Sequence, residues 1–221
     1  MARLVSFSFL LCSLIAIPFA LVVTVPAEAA TLTAVGPGFF SGIDVDYGLV
    51  QTLETVHSKV YGNVRHDFTI NNIPSLDAVI DSGPGDTNNI TVANIEGNAL
   101  GVLHLTFYDG LQQAMGFGFA LSDVGTYASA VSVELIGADN LPLGSLSGGA
   151  APDPVFTGGF FGVHSDVAFA RASIRFLVPN AARFAFDNLR FESATVPEPT
   201  SLALLATGLF AALTQVRRRE R

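Results

Sequence analysis

The residues best suited to chemistry in this chain are hard-oxygen donors on glycine-rich turns. Asp81, Asp86, Asn88 and Asn89 crowd one turn together with Gly83 and Gly85. Carboxylate and amide oxygens on a pliable loop are the donor set that Ca²⁺ takes, so Asp81, Asp86 and Asn88 form a candidate calcium site. Their spacing does not follow the twelve-residue helix–loop–helix pattern, and Asp, Asn and Gly are also ordinary turn formers. Asp187 and Asn188 offer a second pair of oxygens. Asp44 and Asp46, two residues apart, would share one face of a strand, but glycoside hydrolysis needs two carboxyls facing each other across a cleft.

Other catalytic chemistries find little support. His57, His66, His104 and His164 are scattered without the close pairing that zinc sites use, so each reads as structural, with His104 on a strand surface or between sheets. Gly144-Ser145-Leu146-Ser147-Gly148 imitates a nucleophile elbow but has Leu146 at its centre. Cys12 is the only cysteine and lies in an N-terminal apolar segment, which leaves the rest of the chain without thiol or disulfide chemistry. There is no Trp and only four Tyr, against 18 Phe that fall mostly in the apolar phase of alternating runs, so aromatic platforms for sugars are scarce. No catalysis and no obligatory cofactor are expected.

The elements that would carry these residues are strands. Period-two alternation recurs: Ile43, Val45 and Tyr47 against Asp44 and Asp46; Leu103, Leu105 and Phe107 against His104 and Thr106; Met115, Phe117, Phe119 and Leu121 against Gly116, Gly118 and Ala120. Val131, Val133 and Leu135 follow the same rule, as do Ala172, Ile174, Phe176 and Val178, with a weaker candidate over residues 64–70. Turn signals separate them at Tyr108-Asp109-Gly110, Gly137-Ala138-Asp139-Asn140 and Ser147-Gly148-Gly149. Residues 49–60 read as one short helix or a loop. Near the end, Phe184 and Phe186 are out of phase with Leu189 and Phe191, which predicts either a β-bulge at Asp187-Asn188 or a strand buried on both sides. Many short strands with regular turns predict an all-β, antiparallel sandwich over residues 30–195, a length that can bury one core without crosslinks.

Charge sharpens the partner question. The formal net charge is −8 over 221 residues, but Arg217, Arg218, Arg219 and Arg221 sit at the end, so residues 30–195 carry 16 acids against 6 bases, 6 − 16 = −10. Such a domain has no means of displacing counterions from nucleic acid, which is not expected as a partner.

Both ends read as addresses. Residues 1–29 have a cationic start at Arg3, an apolar stretch and a small-x-small Ala27-Glu28-Ala29, the order of a cleaved signal peptide. Residues 196–221 run Val196-Pro197-Glu198-Pro199, then an apolar segment over about 201–216, then Arg217-Arg218-Arg219. The prolines exclude helix just before the apolar run, which can itself be a transmembrane helix of about 24 Å, short of a ~30 Å hydrocarbon core. The arginines should stay cytoplasmic and the acidic domain outside.

This order resembles the PEP-CTERM sorting signal of Gram-negative bacteria, also labelled an ice-binding protein C-terminal domain. Pro197, Glu198 and Pro199 match the name-giving motif, and Arg217, Arg218 and Arg219 its basic end. The resemblance implies a signal peptidase and an exosortase as processing partners, a transient inner-membrane anchor, and delivery to the cell surface or exopolysaccharide matrix. The segments Gly158-Gly159-Phe160-Phe161-Gly162-Val163, Gly116-Phe117-Gly118-Phe119 and Phe186-Asp187-Asn188-Leu189-Arg190-Phe191 look like recurring pieces of PEP-CTERM cargo domains, which implies a jelly-roll-like sandwich. Three functions stay open: a non-catalytic surface or matrix protein, a calcium-supported carbohydrate-binding module, and a secreted hydrolase. A smooth acidic sandwich would favour the first. Exposed aromatics beside the Asp81 turn would favour the second. A deep cleft holding two carboxylates, or a carboxylate and a histidine, would favour the third.

Overall fold

A computed structural model describes residues 30–49, 53–83, 87, 90 and 93–194. Residues 1–29, where a signal peptide is expected, residues 195–221, where the sorting motif and the transmembrane helix are expected, and Asp86 and Asn88 of the candidate calcium turn lie outside the described residues.

The described chain is all-β, with thirteen strands and antiparallel pairing throughout. They are β1 (Leu32–Val35), β2 (Lys59–Tyr61), β3 (Val64–Ile70), β4 (Ile73–Pro74), β5 (Val79–Asp81), β6 (Asn94–Asn98), β7 (Val102–Phe107), β8 (Gln112–Leu121), β9 (Tyr127–Ile136), β10 (Pro142–Pro152), β11 (Thr157–Phe169), β12 (Arg171–Phe176) and β13 (Arg183–Ser193). The hydrogen-bonded order is β2-β3-β7-β12-β9-β10-β11-β8-β13-β6-β5, one curled sheet whose halves face each other as a sandwich. Between them lies a core rich in phenylalanine. Phe68 of β3 meets Phe184 of β13 at 5.8 Å, and Phe176 of β12 stacks on Phe184 at 4.5 Å.

The two layers are continuous rather than separate, and β10 explains why. Its first part pairs with β9, its register shifts between Gly148 and Ala150, and Ala151 and Pro152 then pair with β11. Ser147-Gly148-Gly149 is therefore a bend inside a strand and not the turn expected from its glycines. A Cβ at Gly149 would lie 2.7 Å from the Tyr127 carbonyl oxygen, so only glycine lets the strand pass there. At the other seam, Leu53 N–H donates to the Ile80 carbonyl and Val56 N–H to that of Ala78, after which the chain enters β2 of the facing layer. Residues 53–58 are thus bridge and turn rather than helix. Neither layer leaves β5 as a bare edge.

The alternation at Ile43–Tyr47 also misled. That segment makes a single bridge, Val45 to Leu189, and then a 3₁₀ turn at Tyr47–Leu49. Asp44 Oδ2 accepts the Phe191 N–H and Asp46 Oδ1 the Gly48 N–H, so both carboxylates hold backbone amides instead of sharing a strand face. By contrast β3, β7, β8, β9 and β12 fall where the alternation places them, and the turns at residues 108–110 and 137–140 are present. The β13 bulge is also present: Asp187 pairs with Gly118 and Arg190 with Gly116, three residues against two. Asn188 takes the left-handed conformation at φ 52°, and Phe184, Phe186 and Leu189 are all fully buried.

Candidate functional site

The outer face of the β11-β8-β13 layer is built to be crossed by another segment. Along β8 the aromatics point inward, while the outward Ala114, Gly116, Gly118 and Ala120 form a low floor. After β1 pairs with β11, the 3₁₀ turn Pro37–Phe39 lifts the chain over this floor. Phe40 then packs on Gly116, where a Cβ would lie 2.8 Å from the Phe40 ring and 2.5 Å from that of Phe160. Ser41 N–H donates to Glu192 Oε1 at 2.9 Å, and Val45 bridges Leu189. Residues 37–46 thus strap β11, β8 and β13 together. The strap explains Gly116 of β8: Phe117 and Phe119 fill the core, and Gly116 makes room outside for the Phe40 and Phe160 rings.

At the open end of the strap lies a cleft of about 410 Å³, lined by Phe39, Phe40, Ser41, Gln113, His164 and Glu192 above Ala114. His164 and Glu192 both pair with Ala114, one from each side, so they face each other across one strand. Two strand spacings put their Cα atoms roughly 10 Å apart. The Phe39 ring is 48% exposed and stands 5.6 Å from the His164 ring and 5.4 Å from Phe40. Behind it, the Arg190 guanidinium lies 5.5 Å from the centre of the Phe160 ring and donates to the Pro37 carbonyl. Burial raises the Asp44 carboxyl above its ordinary range against the Phe191 N–H, and the nearby Glu192 charge pushes the same way as burial. The arrangement offers an apolar ring face at Phe39, an amide at Gln113, and an imidazole and a carboxylate on opposite walls.

The residues expected from sequence fare differently. Asp81 Oδ1 accepts the N–H of Ser82, as a turn former does. Among the described residues no group of three His, Cys, Asp or Glu is placed to hold a metal. The four histidines are indeed separate. His57 Nδ1 accepts the Phe68 N–H, His104 lies on the outer face of β7, and His66 is fully buried. His66 Nδ1 sits 2.9 Å from the Val64 carbonyl and Nε2 2.6 Å from the Tyr47 hydroxyl. A carbonyl only accepts, so Nδ1 carries the proton and Tyr47 donates to Nε2. Sequence reasoning passed over Phe39, Phe40, Gln113 and Glu192, and took His164 as structural. The cleft aromatics stand beside the strap and not beside the Asp81 turn. The cleft does bring together a histidine and a carboxylate, the pair named above as favouring hydrolysis, although it is open to solvent and Glu192 is held by a backbone amide.

No helix among the described residues is long and apolar enough to cross a membrane. No curated protein matches the chain. Among solved structures, the chain is similar to a family 29 carbohydrate-binding module at 10% identity and a TM-score of 0.37, covering 69% of this chain and 95% of that one. An arabinose-bound α-L-arabinofuranosidase gives 10% identity and a TM-score of 0.42 over 71% of this chain and 27% of that one. A family 28 module specific for non-crystalline cellulose gives 15% and 0.34, over 53% and 82%. Beyond β13, where Pro197, Glu198 and Pro199 precede the apolar run and Arg217, Arg218 and Arg219, residues 195–219 match the PEP-CTERM protein-sorting motif, and the chain carries that sorting domain.

Proposed function

We propose that this is a surface or exopolysaccharide-matrix protein, exported by its signal segment, held briefly in the inner membrane and released by an exosortase, and that its sandwich acts by binding rather than by catalysis. The sorting motif at residues 195–219 carries the reading. The test is expression in a host with and without an exosortase, with the mass of the product measured in membrane and medium. Loss of both ends, with product in the medium only when the exosortase is present, is the expected result. A product that keeps its C-terminal segment in the membrane of the exosortase host would overturn it.

The exposed Phe39 beside Gln113 and Glu192 favours a second reading, a carbohydrate-binding module whose cleft seats one sugar ring. Ca²⁺ at Asp81, Asp86 and Asn88 belongs to this reading, and it predicts glycan retention that falls on chelation. A secreted hydrolase would use Glu192 and His164. Release of reducing ends from exopolysaccharide, abolished by Glu192→Gln, would select it over both binding readings.

A further inference from the structure

The layer facing away from the strap has its own chemistry. Its outward residues form rows across four strands. Arg65 pairs with Thr106 and Thr106 with Arg171. One row along, Asp67, His104, Ser173 and Glu134 lie side by side, and beyond them Arg175 pairs with Ser132. His104 is locked at the centre, with Nε2 3.0 Å from Thr69 Oγ1 and Nδ1 2.9 Å from Ser173 Oγ. Around it is a hollow of about 210 Å³ lined by Asp67, His104, Thr106, Ile136, Arg171 and Ser173.

The charge on this face runs against that of the domain. Three of the six cations between residues 30 and 195, Arg65, Arg171 and Arg175, point outward here, against two of the sixteen acids, Asp67 and Glu134. The face sums to +1, which leaves −11 for the remainder. Asp67 is committed to Arg65, at 3.0 Å. Arg171 donates to the Asn140 amide oxygen at 2.5 Å, and among the described residues neither it nor Arg175 makes an ion pair. At the rim, Asp109 accepts from Asn63 and Asp139 from the Leu141 N–H. Arg65 and Arg171 are roughly 10 Å apart across the strands, and Arg171 and Arg175 roughly 13 Å along one. Tyr108, 56% exposed, lies near Arg65 and adds one aromatic face.

We infer that this face is a docking surface for an acidic polysaccharide, one whose spaced carboxylates reach Arg171 and Arg175 while its hydroxyls meet the Thr106, Ser132 and Ser173 row. Widely spaced guanidiniums among hydroxyls fit a polymer with one charge per sugar unit, and the −11 on the rest of the molecule repels a densely charged one. The inference deepens the matrix reading but does not depend on the tag being cut.

The test is affinity electrophoresis of the full chain, in mild detergent at about 50 mM NaCl where surface charges are weakly screened, through gels containing polygalacturonate, dextran or duplex DNA. The expected result is retardation by polygalacturonate alone, weakened at least tenfold in the Arg171→Ala/Arg175→Ala double variant and unchanged in Phe39→Ala. A variant with Arg217, Arg218 and Arg219 replaced by Gln controls for the basic tail, and its retardation should persist. Circular dichroism and the unfolding midpoint check that the arginine variant is folded. Equal retardation by dextran or DNA, loss of retardation in the tail or Phe39 variant, or an arginine double variant that runs as the parent would each overturn the inference. A chain that binds polygalacturonate in this assay yet keeps its C-terminal segment in the membrane of the exosortase host would refute the sorting reading and leave this one standing.

Discussion

His66 shows how a single side chain sets the acid limit of this fold. It is sealed under Tyr47 and Tyr61, and burial drives its pKa down from 6.5 to about 4, against the weaker pull of the Val64 carbonyl and Asp67. Between those two values the unfolded chain binds a proton that the folded chain refuses. Stability therefore falls as pH drops from 6.5 towards 4 and levels off below, by up to roughly 3 kcal/mol from this group. Asp123 and Asp166, whose carboxyls are held below the ordinary range by hydrogen bonds from Tyr127 and from Thr31, act only at lower pH; within the window His104, lowered by burial, adds to the slope, and Asp44, raised by burial, opposes it. Urea unfolding at a series of pH values should show the slope, and a flat profile between pH 4 and 6.5 would refute it. Tyr47→Phe leaves Nε2 buried without its donor, so at pH 7 it should cost about 1–3 kcal/mol. A neutral result would mean that water reaches the pocket.

The bulge in β13 was legible one strand at a time, and its reason is mechanical. The bulge absorbs one extra residue and so keeps Leu189 and Phe191 on the inner face with Phe184 and Phe186, with Asn188 in the left-handed conformation at φ 52°. Asn188→Gly keeps the backbone conformation available, whereas Asn188→Val should be less stable than the glycine variant by about 1–3 kcal/mol through backbone strain. Deleting Asn188 removes the extra residue and leaves Phe184, Phe186, Leu189 and Phe191 in plain alternation in the same register on β8, so calorimetric unfolding should stay cooperative, whereas inserting one residue after Asn188 should turn every later side chain to the opposite face and abolish it. Period-two reading worked wherever one face was buried along a whole strand, as in β3, β7, β9 and β12. It failed at residues 43–47, where Val45 and Tyr47 are buried by a strap that crosses strands, and at residues 147–149, where glycine marks a bend between layers. The cleft was not legible for a related reason. Its walls come from four segments, at residues 39–41, 113–114, 164 and 192, whose meeting depends on the pairing of three strands. The calcium turn was legible only as composition, and Asp81 alone of its proposed oxygen ligands is described.

At the scale of the whole molecule, the folded body and the sorting motif leave almost no chain between them. β13 ends at Ser193, Ala194 N–H still donates to the Leu111 carbonyl, and the motif begins at residue 195. From Ala194 to Ser201 is seven residues, at most about 24 Å when extended, so an apolar run anchored in a membrane would hold the sandwich close to the lipid surface. An exosortase working near Pro197 would meet the domain's C-terminal end within a few residues of its target. Freeing the motif would then require either an enzyme that tolerates the bulk or fraying of the last β13 pairs, Glu192 to Ala114 and Ser193 to Gln112. Inserting six Gly/Ser residues between Ala194 and Thr195 relaxes the crowding without touching the fold, and it should speed appearance of the released product in a pulse-chase experiment with exosortase present. A second variant, Gln112→Ala, loosens that end by removing the side-chain bond to the Gly110 carbonyl, and should speed release in the short-linker chain but not in the extended one. Equal rates for all of these chains would mean that the enzyme reads the motif without regard to the body it carries.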